Sequence, residues 1–205
     1  MRKYVLMICM AAVFLCTVPW AQAATVTFSD IVDGDLNPAV GFDADATSAT
    51  GNTLNIALGD FKADGDDGPN SVLDTLAFTV TAPEGWYITG VRYEEGGTVY
   101  VETGGIAVAT GSITAGGVAS NFGSHIFTSP GDTGWSIWGT VDLTTPAESI
   151  QVSIVNSLFA AGEAWIQKTG PASVEVMLAP VPIPSTLLLL GSGVFGLALW
   201  RRRRS

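Results

Sequence analysis

The sequence predicts an all-β fold: a single antiparallel β-sandwich or jelly-roll-like domain, flanked by an N-terminal signal peptide and a short C-terminal transmembrane helix. Three observations predict it. Apolar and polar residues alternate along many segments between Ala24 and Pro184, glycine-rich turns separate these segments, and long, almost uninterrupted apolar runs occur only at the two ends. Alternation with a period of two, bounded by turn residues, is typical of the strands of all-β domains.

Residues 1–23 have the organisation of a signal peptide. Two basic residues precede an apolar run over residues 4–15, and the small residues Ala21 and Ala23 predict cleavage before Ala24. The alternative is a membrane-spanning helix, but that needs about 20 apolar residues, more than this run provides. Signal peptidase is therefore an expected partner.

The domain over residues 24–180 contains about ten predicted strands. Its turns are predicted at glycine-containing groups such as Pro83-Glu84-Gly85, Glu95-Gly96-Gly97 and Gly116-Gly117. The predicted strands lie, in chain order, at 25–29, 54–58, 76–80, 86–93, 98–102, 106–110, 122–127, 134–141, 150–154, 164–168 and 174–178.

The C-terminal segment, residues 181–205, has three parts. A proline-containing element comes first, residues 185–200 carry no charge, and a basic cluster follows; the first and last parts are Val181, Pro182, Ile183, Pro184 and Arg201, Arg202, Arg203, Arg204. A helix over 185–200 would be about 24 Å long, so it would need local thinning of a hydrocarbon core of about 30 Å. The arginines predict a cytoplasmic C-terminus, and hence an exported domain that is at first anchored in the membrane by its C-terminal helix.

This V-P-x-P element, leucine- and glycine-rich span and arginine cluster resemble the PEP-CTERM sorting signal, in its V-P-x-P variant. The resemblance implies export by a Gram-negative bacterium and processing by an exosortase-type membrane enzyme near Pro184, which would remove the helix and the arginines. Ile183 stands where the family usually has Glu, which changes the expected enzyme subtype. A plain tail anchor is the alternative. The resemblance covers about 25 residues and leaves the domain unassigned.

Charge and cysteine content exclude several classes of function. The whole chain has a formal net charge of −10, but residues 24–184 contain three basic and all 19 acidic residues, a net charge of −16. An acidic domain lacks the basic face of a nucleic-acid-binding protein, so no nucleic-acid partner is expected. Cys9 and Cys16 both lie in the signal peptide, so the mature chain has no thiol for catalysis, disulfides or metal binding.

Catalytic and metal-binding patterns are weak. His125 is the one histidine, without a nucleophile motif nearby, and we expect it in a partly covered structural position. Seven glutamates are available for glycosidase chemistry, but none lies in a recognisable motif. Four aspartates within eight residues suggest a calcium loop, the one cofactor considered, and the alternative is a solvated turn: Asp60, Asp64, Asp66 and Asp67.

Tryptophans provide the better-supported binding hypothesis. Alternation places Trp135 and Trp138 on opposite faces of one strand, so we expect one in the core and one near the surface. Trp165 shares a face with polar neighbours. Exposed indoles on a sheet can stack on sugar rings, which makes Trp138 and Trp165 candidate glycan-binding residues; the alternative is that they cover core ends.

We therefore expect an exported cell-surface or matrix protein with a non-enzymatic structural or interaction role. The resemblance implies association with exopolysaccharide or biofilm matrix. A carbohydrate-binding module is the alternative, and a glycan hydrolase the third reading.

Overall fold

The computed structural model describes residues 24–34 and 41–182, and within them the chain forms twelve β-strands and no helix. The strands are β1 (Thr27–Asp33), β2 (Phe42–Thr50), β3 (Thr53–Leu58), β4 (Lys62–Asp64), β5 (Asn70–Thr81), β6 (Trp86–Val101), β7 (Ile106–Ala115), β8 (Val118–Phe127), β9 (Gly131–Ala147), β10 (Ser149–Ala161), β11 (Ala164–Lys168) and β12 (Ala172–Pro180).

The strands form two antiparallel sheets in the described part of the chain. Sheet 1 has the order β1-β5-β10-β7-β8, and sheet 2 has the order β2-β3-β12-β6-β11-β4, with β9 pairing with β6. Their inner faces share one cluster of buried apolar side chains. The predicted antiparallel β-sandwich is thereby confirmed, while the predicted signal peptide and C-terminal helix lie outside the described residues.

The core follows the alternation predicted from the sequence. Leu76, Phe78 and Val80 on β5 are buried, and so are Ile150 and Ile154 on β10, the neighbouring strand of sheet 1. The polar residues between them point away from the core. Burial of every second residue is the arrangement expected when one face of each sheet packs and the other is solvated.

The central strand β6 differs from its prediction. The sequence predicts a turn at Glu95-Gly96-Gly97, but the strand continues from Trp86 to Val101. Its first part pairs with β12 and its second part with β11, while β9 runs along its other edge. The glycines allow close approach of the neighbouring strands, since a Cβ at Gly97 would overlap the backbone of β11.

Two other differences have a compositional cause. The sequence prediction omits β2 and β4, and it ends the first strand at Ser29, where β1 continues to Asp33. Strand β2 has the sequence Phe42-Asp-Ala-Asp-Ala-Thr-Ser-Ala-Thr50, which offers small and polar residues instead of an apolar alternation. This segment becomes a strand because it pairs with β3, and not because its residues have a high intrinsic β-propensity.

The predicted turn at Gly116-Gly117 is confirmed, and it joins β7 and β8 in a hairpin. Both glycines have positive φ, 56° and 82°. Two-residue hairpin loops of type I′ need positive φ at both central positions, which glycine adopts without steric cost.

Aromatic packing joins the two sheets near this hairpin. Phe122 on β8 stacks on Tyr93 of β6, with ring centroids 5.0 Å apart and an interplanar angle of 28°. Gly139 is the register partner of Tyr93 on β9, and a Cβ there would lie 2.3 Å from a carbon of the Phe122 ring. The ring therefore occupies the space that a larger residue at 139 would need.

Candidate functional site

Both predicted tryptophans lie on the outer face of sheet 2. On β9, Trp135 is buried and Trp138 is 61% exposed. On β11, Trp165 is half-buried, whereas its neighbours Ala164 and Ile166 are buried. The expectation that one of Trp135 and Trp138 is in the core and the other at the surface is confirmed.

Strand β6 lies between the two outer tryptophans and determines their separation. Trp138 is opposite Glu94 on one edge of β6, and Trp165 is opposite Tyr100 on the other edge. A strand rises about 3.3 Å per residue and neighbouring strands lie about 4.8 Å apart, so the indoles are roughly 20 Å from each other. This distance suits an extended chain of several linked rings better than a single small molecule.

A groove lies beside Trp138, on the side towards Trp165. Its volume is about 460 Å³, and its lining combines four glycines with polar side chains, one indole and one connecting loop: Glu94, Glu95, Gly96, Gly97, Gly134, Trp135, Ser136, Thr169, Gly170 and Pro171. A Cβ on Gly96 would lie 2.7 Å from the carbonyl oxygen of Trp135. Gly96 therefore lets β6 and β9 lie close together beside the groove.

The Trp138 ring has a cationic neighbour. The Arg92 guanidinium carbon is 5.4 Å from the ring centroid, and Arg92 also pairs with Glu94 at 3.4 Å. Both members of this ion pair are exposed, so the pair contributes little stability. Its main effect is to orient polar groups beside an exposed indole.

The Trp165 ring is packed more tightly. Tyr100 stacks on it at 6.3 Å and 25°, and the Lys62 ammonium is 5.4 Å from its centroid. Lys62 also pairs with Asp64 at 2.7 Å, and its hydrogen bond lowers the pKa of that carboxyl. This ring is therefore part of an ordered surface cluster and offers less free area than Trp138.

Two exposed carboxyls adjoin this cluster. Tyr100 donates a hydrogen bond to Glu102 at 2.6 Å. That bond, together with one from Glu163, lowers the pKa of Glu102, and the same carboxyl–carboxyl contact raises the pKa of Glu163. The contact therefore favours the ionised form of Glu102 and the protonated form of Glu163. Sequence reasoning did not single out this pair, because the two residues are 61 positions apart and meet only through the β6–β11 pairing.

The predicted calcium residues do not form a common centre. Asp64 and Asp67 line one depression, with a volume of about 560 Å³, whose lining does not include Asp60 or Asp66. Over the described ranges, no group of three or more histidine, cysteine or acidic residues is placed to hold a metal ion. Asp64 instead pairs with Lys62 and accepts a hydrogen bond from the backbone of Asp66 at 3.3 Å. Calcium binding stays a prediction.

The expectation for His125 is wrong. The residue is exposed on β8, an edge strand of sheet 1, and not partly covered. The period-2 pattern is weak there because the strand is exposed over residues 123–126.

A buried polar cluster that the sequence analysis missed lies between the sheets. Tyr93 donates a hydrogen bond to Glu95 at 2.6 Å, and Asn156 donates to both Tyr93 and Glu95 at 2.8 Å. Lys168 forms an ion pair with the same carboxylate. All four residues are buried. The sequence signal that could have found this cluster is strand alternation. Glu95 lies two residues after Tyr93 and Lys168 lies two residues after Ile166, so both occupy inward-facing positions.

Aromatic rings surround the buried ammonium of Lys168. Its nitrogen lies 4.1 Å from the ring centroid of Phe61 and 5.2 Å from that of Phe42. Burial lowers the pKa of Lys168 to about 8, although Glu95 and Asp74 act in the opposite direction. Desolvation also raises the pKa of Tyr93 well above its ordinary value. The interior of the sandwich therefore holds an amine and a carboxylate in a water-poor environment.

The terminal sorting residues are described only in part. Val181 donates a backbone hydrogen bond to Gly85 at 2.9 Å, and Pro182 is exposed. Ala24 is described and half-buried. The remaining predicted residues lie outside the described residues: Ala21, Ala23, Ile183, Pro184 and Arg201, Arg202, Arg203, Arg204. Between residues 24 and 182, apart from 35–40, the structure contains no helix long and apolar enough to cross a membrane.

The fold and the C-terminal segment define an all-β protein that carries a C-terminal sorting signal. Residues 180–204 match the family model described as the PEP-CTERM protein-sorting motif. The chain is a PEP-CTERM sorting domain-containing protein. Such a motif implies processing by an exosortase-type membrane enzyme, with export and sorting to the cell surface or extracellular space.

Comparison of the whole chain adds little. No curated protein matches it. Among solved structures, TmCBM61 in complex with beta-1,4-galactotriose is similar at 15% identity and a TM-score of 0.29, over 77% of this chain and 88% of its own. A TM-score this low carries no argument about the domain.

Proposed function

We propose that the protein is made as a precursor with two removable ends in a Gram-negative bacterium. Signal peptidase cuts before Ala24, the helix over residues 185–200 holds the chain transiently in the inner membrane, and an exosortase-type enzyme cuts near Pro184. The exposed Pro182, two residues beyond the end of β12, supports this proposal because a membrane enzyme needs an accessible peptide beside the folded domain.

Peptide mapping tests this pathway. Protein released from cells should contain peptides from the β-domain but none from residues 185–205. Recovery of the arginine cluster on released protein would contradict processing, and deletion of residues 185–205 should abolish surface sorting without preventing export.

We further propose that the exported domain is a non-enzymatic module that binds polysaccharide across the outer face of sheet 2. The observation that carries the proposal is Trp138, 61% exposed beside a groove that four glycines help to line. A large rigid indole on a strand provides contact area at low entropic cost, and the neighbouring carboxylate and hydroxyl groups can hydrogen-bond sugar hydroxyls. Trp165 provides a second, weaker contact.

The charge around this face favours a neutral polysaccharide. Glu94 adjoins the groove, and Asp132, Glu102 and Glu163 lie near Trp165. The domain as a whole has a net charge of −16. An anionic polymer would meet like charge at short range, which is unfavourable and sensitive to salt.

The two paired carboxyls favour binding over hydrolysis. Glu102 and Glu163 are both exposed and share a hydrogen bond. Glycosidases hold their two carboxyls at least about 5 Å apart to admit the sugar, and they act in water-excluded clefts. A pair in direct contact on open surface leaves no room for a substrate between its members.

Affinity electrophoresis tests the binding proposal. Protein released from cells is run through gels containing a neutral β-glucan, galactan or mannan, or anionic alginate. At least one neutral polymer should retard it, and Trp138→Ala should lower that affinity about tenfold or more, which corresponds to about 1.4 kcal/mol. Leu73→Ala is the matched control, since Leu73 is 63% exposed on sheet 1. Equal retardation of the wild type and Trp138→Ala would refute the proposed face.

A further inference from the structure

One carboxylate oxygen in the core contacts two nitrogens of different chemistry. Glu95 Oε2 pairs with the ammonium of Lys168 and accepts a hydrogen bond from the Asn156 amide nitrogen at 2.8 Å. Two nitrogens bonded to one oxygen lie no more than about 6 Å from each other. A primary amine and a carboxamide are therefore held side by side on a single acid–base group.

The surroundings of these groups favour a reaction between them. Asn156 and the Lys168 side chain have no exposed surface, and Glu95 is 1% exposed. Burial disfavours the ammonium form and lowers the pKa of Lys168 to about 8, so the nucleophilic free amine is accessible near neutral pH. Low water content also protects the reaction from hydrolysis.

We propose that Lys168 and Asn156 form an intramolecular isopeptide bond, with Glu95 as the group that moves the protons. The nucleophilic amine of Lys168 and the carboxamide of Asn156 both contact the base Glu95 before any reaction. Holding both reacting groups on one base accelerates an intrinsically slow condensation, because the entropic cost of bringing them together is already met by folding.

The atoms and charges balance without an external reagent. The Lys168 ammonium first transfers a proton to the Glu95 carboxylate, and the free amine attacks Cγ of Asn156. The bond from Cγ to Nδ2 then breaks, and the amine loses a second proton to the departing nitrogen, which leaves as ammonia. The product is an amide between Nζ and Cγ, with Glu95 protonated and no charge left on Lys168 or Glu95.

Unpartnered atoms in the cluster fit this outcome. The Lys168 nitrogen has no hydrogen-bond partner besides its ion-pair contact, and Glu95 Oε1 and Asn156 Oδ1 have none. A buried ion pair stabilises a fold only when its remaining polar atoms are hydrogen-bonded, which is not so here. Amide formation removes both charges from the core.

The bond would join the two sheets. Asn156 lies on β10 of sheet 1, and Lys168 lies on β11 of sheet 2. Residues 24–184 contain no cysteine, so an exported domain of this sequence has no disulfide to perform that role.

Mass spectrometry of the wild-type protein decides the matter. Digestion by a glutamate-specific protease, which cuts after Glu148, Glu163 and Glu175, separates residues 149–163 from residues 164–175. The expected product is one branched species containing both peptides, lighter than their sum by about 17 Da, the mass of ammonia. Two separate peptides of unmodified mass from folded wild-type protein would overturn the proposal.

Variants assign the roles. Glu95→Gln and Lys168→Arg should each give the two unlinked peptides, because the first removes the base and the second the primary amine. Lys62→Arg is the matched control at a half-buried surface lysine outside the core cluster and should keep the branched species. A branched species in Glu95→Gln at the wild-type yield would overturn the role of Glu95, even if other variants fail to fold.

Discussion

Replacement of Gly139 by alanine is expected to destabilise the domain. Gly139 lies on the inner side of β9, and a Cβ there would fall 2.3 Å from one carbon of the Phe122 ring and 2.6 Å from another. Neither the ring nor the strand can move freely, because Phe122 stacks on Tyr93 at 5.0 Å. The methyl group must therefore be accommodated by a shift between the two sheets.

Two opposing contributions set the magnitude. Glycine to alanine at a compatible backbone position stabilises by about 0.4–1 kcal/mol through the unfolded state, and Gly139 has no positive φ. Overpacking a filled core costs about 1–3 kcal/mol. The overpacking cost is larger, so the net destabilisation is about 1–2 kcal/mol, which lowers Tm by about 2–8 °C in a domain of this size.

Calorimetry or thermal circular dichroism measures the effect, with Gly134→Ala as the matched control. Gly134 lies on the same strand, also lacks positive φ, and a Cβ there would approach no atom more closely than 3.9 Å. That control should raise Tm by about 1–4 °C. Phe122→Leu should be less harmful in the Gly139→Ala background than alone, with a coupling of at least about 0.5 kcal/mol. A Gly139→Ala protein as stable as the Gly134→Ala control would refute the packing argument.

Three further predictions concern the surface and the termini. Tyr100→Phe removes the strongest donor to Glu102, so the pKa of Glu102 should rise in a carbon-13 NMR titration. In the wild type, the stabilisation from ionised Glu102 is present above the ordinary carboxyl pKa. It is lost as the pH falls through the lowered pKa of Glu102. Lys62→Met removes the cation that competes for Asp64, so calorimetric titration should give tighter Ca²⁺ binding than in the wild type, and equal heats would count against a calcium loop. An inactive exosortase should leave residues 185–205 on the protein in the membrane fraction, and unchanged release would contradict the sorting pathway.

The predictable part of the fold was the part governed by alternation. Segments such as β5 and β10 bury every second residue, and this pattern identifies both the strand and its inner face. Strand β2 lacks that pattern and forms through pairing with β3. The prediction of a turn at Glu95-Gly96-Gly97 was wrong because glycine occurs in two settings. It is common in turns, and it also occurs within strands where a neighbouring backbone approaches closely.

The candidate binding residues were likewise predictable only where their placement depends on a single strand. Alternation along β9 predicted that Trp135 and Trp138 face opposite ways, because that is a property of one strand. It could not place Trp138 and Trp165 on one face, because that depends on β9 and β11 pairing with opposite edges of β6.

The sequence by itself determined the destination of the protein and the class of its fold. A sorting signal is read as a linear segment, and strand periodicity is local, so neither requires tertiary information. Only the tertiary structure decided that Glu95, Asn156 and Lys168 meet. They come from three strands and two sheets, and a buried polar cluster is defined by contacts that no local pattern encodes.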